Sequence, residues 1–353
     1  MLCFLIVLAC QRGTHHAPDT APADSSQLPS DTGANDTARD SSSANDTSAD
    51  TATDTAGDTA SDTSDTAADT SDTATDTSSD TGAPADPWTT CDSYARPTAR
   101  GRVEDGTLDE ISGIAVSRQN PGVLWVHEDS GNPAVLTALD TSGRTVATLT
   151  LDGATNVDWE DLAIGPCIDT GDAWCIVVGD IGDNGATGRT LSIYTVVEPV
   201  LDSATDIVAT PTRHDFGYPD AAEDAEALAI LPDGTPVLVT KRNDATAGVY
   251  TLEAGADTLT WQAELATGAA WEGLTAMATA ADLSPDGTRL LVRSYLHLQE
   301  FEVDDLTAPV LRGELSAALE VQGEAVAYDP VDGGFWQVAE GSGAVLYRAE
   351  CAP

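Results

Sequence analysis

The sequence predicts an all-β fold, a β-propeller of four-stranded blades preceded by a disordered stalk. Three observations carry this: a break in composition near residue 90, short β-type runs separated by Gly, Pro and Asp turns beyond it, and five copies of one strand–turn–strand pattern. The chain has 353 residues, with 59 Asp+Glu against 15 Lys+Arg and a formal net charge of −44. Such an excess repels phosphodiester backbones and anionic lipid faces, which excludes nucleic acid as a partner. No apolar run approaches the ~20 residues that span a bilayer.

Residues 1–10 read as a lipoprotein-type signal segment. The stretch from Leu2 to Ala9 is apolar and ends in Val7-Leu8-Ala9-Cys10. That tetrapeptide resembles the bacterial lipoprotein box, in which a small residue precedes a Cys that becomes acylated and N-terminal. Cys10 is then the lipidation residue and outer-membrane lipid the partner at this end. Arg12, in place of an Asp two residues beyond the Cys, fits an outer-membrane or cell-surface destination in that resemblance. The alternatives are an ordinary signal peptide, which leaves the protein secreted, and a misplaced start, because the segment is short and has no basic flank.

Residues 11–90 form the stalk. From Pro18 to Pro87 the composition collapses to Asp, Thr, Ser and Ala, with Asp every three or four residues from Asp50 to Asp80. In a helix those carboxylates would stack on one face and repel. Too few apolar side chains remain to offset the entropy of ordering, so the segment is expected to stay extended. At about 3.1 Å per residue it reaches about 200 Å, enough to hold a domain clear of a membrane as a tethered monomer.

Residues 91–353 form the folded domain, still at −30 net charge and large enough to bury one sizeable core. Its four cysteines allow three pairings. Cys167 and Cys175 flank a short hairpin loop, and Cys91 and Cys351 bound the domain. The pairing 167–175 with 91–351 uses every thiol and fits an oxidising compartment. No Cys-x-x-Cys or histidine pair supports zinc.

The five repeats begin at Glu110-Ile-Ser-Gly, Asp158-Trp-Glu-Asp, Asp224-Ala-Glu-Ala, Met277-Ala-Thr-Ala and Gln322-Gly-Glu-Ala. Each continues into a second β run, and third runs follow with a hydrophobic-Tyr pair at Ile193-Tyr194, Val249-Tyr250 and Leu346-Tyr347. The equivalent positions Ser112, Glu160, Glu226, Thr279 and Glu324 are 48, 66, 53 and 45 residues apart. Four strands per repeat of this length is a propeller blade, and the ring must close to bury both faces of each. Residues near Thr98 to Val103 can supply the missing outer strand of the last blade. The count is five, with a sixth, diverged blade in the 66-residue interval as the alternative.

The first strand of each blade lines the central channel, and residues two apart share a face. Asp158, Glu160, Asp224, Glu226 and Glu324 are therefore expected at one mouth. Second strands run back to the same mouth and bring His127, Glu128, Asp129, Asp180, Asp183, Lys241, Arg242, Arg293 and Glu340 as ligand-binding candidates. Gly182 and Gly185 allow close approach of backbone to a ligand. Carboxylates gathered at one opening raise each other's pKa unless a cation or base neutralises them, and hard oxygen ligands select Ca²⁺ or Mg²⁺. Asp158, Glu160, Asp224, Glu226 and Glu324 are thus candidate ligands of a divalent ion, Ca²⁺ first, placed off-axis toward the second and third blades because Thr279 breaks the acidic series.

Two functions fit. One is a module that binds a small molecule, glycan or peptide beside the ion. The other is a Ca²⁺-dependent phosphoester hydrolase of phytase or apyrase type, with Lys241, Arg242 and Arg293 facing an anion. No Gly-x-Ser-x-Gly, His-Glu-x-x-His or phosphate-cradling loop is present. The bland alternative is that the acids cap strands, pair with bases or are solvated, and that His127 is structural.

Trp125 to Asn132, Asp158-Trp-Glu-Asp161, Gly179-Asp-Ile-Gly-Asp-Asn184 and Ser284-Pro-Asp-Gly287 occur in that order. In these motifs the chain, from about residue 100 to 350, resembles a largely uncharacterised bacterial lipoprotein family with a TolB-like propeller. That resemblance implies six blades. A more distant similarity to calcium-dependent propeller phosphatases and apyrases implies a chemistry and no particular residue.

Overall fold

The computed structural model describes residues 91–168, 173–202, 205–268 and 273–352. The expected signal segment, Cys10 and the stalk lie outside them. Strand β1 (Thr98–Arg102) comes first, followed by β2 (Ile111–Val116), β3 (Val123–Glu128), β4 (Val135–Asp140) and β5 (Thr145–Leu151). Next are β6 (Trp159–Pro166), β7 (Trp174–Asp180), β8 (Leu191–Val197), β9 (Asp206–Ala209) and β10 (Thr212–Phe216). Then come β11 (Ala225–Ile230), β12 (Pro236–Thr240), β13 (Thr246–Thr251) and β14 (Thr260–Ala266). The chain ends with β15 (Ala278–Leu283), β16 (Arg289–Ser294), β17 (Leu298–Glu302), β18 (Val310–Leu315), β19 (Gly323–Tyr328), β20 (Phe335–Ala339) and β21 (Val345–Ala349).

These strands form five sheets, whose inner strands β2, β6, β11, β15 and β19 contact one another in a closed circle. The protein is a five-bladed β-propeller; the six-bladed expectation is corrected. The interval between Glu160 and Glu226 is long because the chain leaves β8, lays β9 parallel on the outer edge of β5, and returns to complete the second blade with β10. One sheet therefore has five strands, its edge covered by a segment borrowed from the next repeat.

The described residues form several cores rather than one. Each blade is apolar on both faces, and the buried residues fall into five clusters, one at every blade interface. Trp125 and Trp159 both lie in the cluster between the first two blades, while Tyr328 and Phe335 lie in that of the last two. Closure is the expected one: β1 pairs antiparallel with β21, and disulfide Cys91–Cys351 joins the ends with Cα atoms 5.3 Å apart. Buried Glu300 accepts the hydroxyls of Tyr94 and Tyr328, each at 2.8 Å, and pairs with Arg312 at 2.9 Å, which fixes the entering segment to the last two blades. Cys167–Cys175 closes the hairpin between β6 and β7.

All five inner strands carry the same irregularity. Pairing with the second strand slips between Ile111 and Gly113, Trp159 and Asp161, Ala225 and Ala227, Ala278 and Ala280, and Gly323 and Ala325. The skipped residues are Ser112, Glu160, Glu226, Thr279 and Glu324, the five aligned from the sequence. A bulge frees one residue from the ladder and re-aims its side chain.

The residue after each bulge is small where inner strands converge: Gly113, Ala227, Ala280 and Ala325. The second blade has Asp161 instead. Its buried carboxylate accepts the N–H groups of Leu228 at 2.9 Å and Ala281 at 3.3 Å, binding three blades across the channel. Asp282 does the same for the Tyr328 N–H at 2.8 Å. Burial pushes the Asp282 pKa up to about 7 and that of Asp161 well above the carboxylate range. These acids satisfy backbone groups that the inner edges leave unpaired.

Candidate functional site

The mouth has two tiers. The lower one holds the bulged residues Ser112, Glu160, Glu226, Thr279 and Glu324, none more than 4 % exposed. The upper one holds the residue that follows each second strand: Asp129, Ile181, Lys241, Tyr295 and Glu340. Backbone bonds fix four of these. The N–H groups of Asp129, Ile181, Lys241 and Glu340 donate to the carbonyls of Glu110, Asp158, Asp224 and Gln322 at 2.9, 3.2, 2.8 and 3.2 Å. Members of both tiers, with Asn184, enclose a cavity of about 20 Å³. That is room for one water-sized occupant.

Two lower-tier hydroxyls are already committed. Ser112 donates to the Glu160 carbonyl at 2.5 Å and Thr279 to the Gly323 carbonyl at 2.7 Å. The three carboxylates differ. Glu226 accepts the Lys241 ammonium at 2.7 Å, and Lys241 also lies over the Tyr295 ring, 5.3 Å from its centre. Neither Glu160 nor Glu324 receives a hydrogen bond or ion pair on its carboxylate among the described residues. Beside Glu160 stand Asp129 and Asp158, with one oxygen of each of the three within 4.8 Å of the others. Gly182 makes this approach feasible, since a Cβ there would lie 2.0 Å from Glu160 Oε1.

Lys241 is the only lysine among the 353 residues; every other base is an arginine or histidine. Burial works against its ammonium, but Glu226, Tyr295, Glu324 and Glu160 override this and keep it charged. The carboxyls are pushed the other way. Burial, then the charge of Asp129, lifts Asp158 to about 6, and burial with Asp129 and Glu110 lifts Glu340 to about 7. Burial takes Glu226 up to about 7 even though Lys241 opposes the shift. Glu160 and Glu324 lie well above the usual range, chiefly from burial, and Asp129 and Asp224 are raised for the same reason.

The structure thus gathers Asp129, Glu160, Glu226, Lys241, Glu324 and Glu340 around the cavity, with Asp158 adjoining. Other expected residues serve elsewhere. Arg293, 1 % exposed, lies between the last two blades and donates to the carbonyls of Ala325 at 2.8 Å and Val338 at 3.3 Å, in space left by Gly323. Arg242 pairs with Glu223 and Glu264 and stacks on Trp261, away from the cavity. His127 is buried beneath Gly113, edge-on to Trp159, and burial lowers its pKa to about 4, so it is a neutral core residue. Glu128 accepts the Asp109 N–H at 3.1 Å.

The Gly-Asp-Ile-Gly-Asp-Asn motif is a brace. Asp180 pairs with Arg189 at 2.8 Å and accepts the Asp158 N–H at 3.1 Å. Asp183 accepts Thr187 and Gly188, while its own N–H goes to Asp224 at 2.7 Å. Asp224 is therefore a loop anchor, and the cluster able to hold an ion lies between the first and second blades rather than the second and third. Tyr295 lines the cavity without having been a candidate, although its alignment with the residues that follow the other second strands was the available signal; Asn184 lines it from the Gly-Asp-Ile-Gly-Asp-Asn loop, which was expected at the mouth.

No family model matches the chain, and no curated protein matches it. Among solved structures, a PQQ-bound aldose sugar dehydrogenase from Streptomyces coelicolor is similar with a TM-score of 0.46 and 11 % identity, over 73 % of this chain and 98 % of that one. A chain of a mitotic checkpoint complex is similar with a TM-score of 0.35 and 13 % identity, over 67 % and 60 %. Neither lends this chain a ligand or an activity. What fold and site define is a five-bladed propeller with a buried acidic mouth.

Proposed function

We propose that this protein is a cell-surface binding module whose propeller holds a divalent cation, Ca²⁺ first, at Asp129, Asp158 and Glu160. One observation carries the reading: Glu160 is nearly fully buried, has no donor on its carboxylate among the described residues, and faces an ion-sized space beside two more acids. An uncompensated buried carboxylate is costly, and an ion of hard-oxygen preference supplies the missing charge. A small molecule, glycan or peptide would then engage the rim above, because the cavity itself is too small for one.

The module would reach the surface by export and acylation at Cys10, in keeping with two disulfides that use all four domain cysteines. Its membership in the TolB-like lipoprotein group rests on the motifs alone. The phosphoester-hydrolase reading is less well supported, since of the three bases expected to face an anion only Lys241 adjoins the cavity, already paired with Glu226.

Calorimetric titration of chelator-stripped protein with Ca²⁺ tests the proposal. One ion per chain, lost in Asp158→Asn with Glu160→Gln, is the expected result; no heat and no shift in melting temperature would refute it. Hydrolysis of p-nitrophenyl phosphate with Ca²⁺, abolished by the same pair, would restore the enzyme reading. Palmitate labelling that persists in Cys10→Ser would remove the anchor.

A further inference from the structure

The cavity is bordered by acids from several blades, and among the residues that line it Lys241 alone is basic. Glu226 from the third blade and Glu324 from the fifth face Lys241, whose side chain is 7 % exposed. Its ammonium lies 2.7 Å from Glu226 Oε1, with the Tyr295 ring 5.3 Å away on another side. A primary ammonium is a compact point charge, whereas guanidinium is a broad planar fork. In a chain with 14 arginines, the one lysine is the base that borders this cavity.

We propose that Lys241 is a tethered counter-ion that fills a second cation position of the mouth, formed by Glu226 and Glu324, and so limits the protein to one exogenous divalent ion. The inference rests on the cation-binding reading above and adds a specificity determinant to it. Glu324 is the independent pointer: it is 4 % exposed, borders the cavity, and receives no hydrogen bond or ion pair on its carboxylate among the described residues. With the ammonium removed, two buried carboxylates from different blades share an ion-sized space with no base. Lys241→Met keeps an unbranched apolar stem of similar length and removes the ammonium.

Calcium titration of chelator-stripped full-length protein at pH 8 provides the test. The wild type should take one ion, Lys241→Met two, and Lys241→Met with Glu226→Gln one. A Lys241→Met protein that takes no more ions than the wild type overturns the proposal, as does a double variant that still takes two. Should the wild type take none while Lys241→Met takes one that Glu226→Gln abolishes, the proposed function fails and the second position stands.

A measurement on the unmodified chain covers the case in which Lys241→Met does not fold. Lysine labelled with ¹⁵N at Nζ gives one resonance in this single-lysine protein. Its ammonium protons should exchange slowly with water before and after Ca²⁺ saturation. Exchange as fast as that of free lysine, in either state, would show that the ammonium does not hold the position.

Discussion

Two sides of the same mouth treat an identical residue in opposite ways. Glu160 and Glu226 occupy the same bulge in neighbouring blades, equally buried, under the same ring geometry. Glu226 meets an ammonium built into its own blade; Glu160 meets Asp129 and Asp158. The backbone therefore decides where a side chain goes, and the residue after the second strand decides whether it is neutralised. In the third blade that residue is Lys241. In the second it is Ile181, which has no charge to offer, and Glu160 is left beside two other acids.

The sharpest way to break this contrast is to remove the internal cation. Lys241→Met should lower stability by about 3–5 kcal/mol in urea unfolding at pH 8 without Ca²⁺, because it strands a buried carboxylate. The loss should shrink at pH 5, where Glu226 can be protonated. Gly182→Ala attacks the other side: its Cβ would displace Glu160, costing about 1–3 kcal/mol and weakening Ca²⁺ binding at least tenfold by calorimetry.

Charge-neutral replacements of the two glutamates should differ in sign. Glu226→Gln breaks an ion pair and should destabilise by about 1–3 kcal/mol, whereas Glu160→Gln removes unrelieved charge and should be neutral or stabilising by about 1 kcal/mol without Ca²⁺. Equal destabilisation by both would end the comparison. A further effect is one of pH. Asp158, Glu226 and Glu340 have folded pKa values near 6 to 7, above those of the unfolded chain. The folded state then binds more protons than the unfolded one between about pH 4 and 7, and stability falls as pH rises through that window. The chelated protein should melt roughly 5 °C lower at pH 8 than at pH 5, with Ca²⁺ recovering most of the difference at pH 8.

Much of this was legible before any coordinates. The five repeats located the inner strands, and aligning Ser112, Glu160, Glu226, Thr279 and Glu324 found the lower tier, because every blade bulges at one point. The closing strand and both disulfides followed from where β1 and the cysteines fall. Side-chain aim beyond the strand ends was less legible. Lys241 and Arg242 are neighbours, yet one enters the cavity and the other stacks on Trp261. Arg293 went to a blade interface because Gly323, on another strand, leaves room for it. The long second repeat suggested an extra blade because composition does not distinguish a new sheet from a strand lent to an old one. Asp161 was visible within its motif, but its reach across the axis depends on the spacing of three blades.

The pairing of β1 with β21 also has a consequence in time. During synthesis the segment at Thr98–Arg102 emerges first of all the strands, but the edge it must occupy is created only when the final hairpin, nearly 250 residues later, has been made. Until then four sheets can stack in order while both ends of the arc stay open. The earliest strand of the propeller is thus obliged to be the last to dock, and emergence of its final hairpin becomes the event that turns an open arc into a ring.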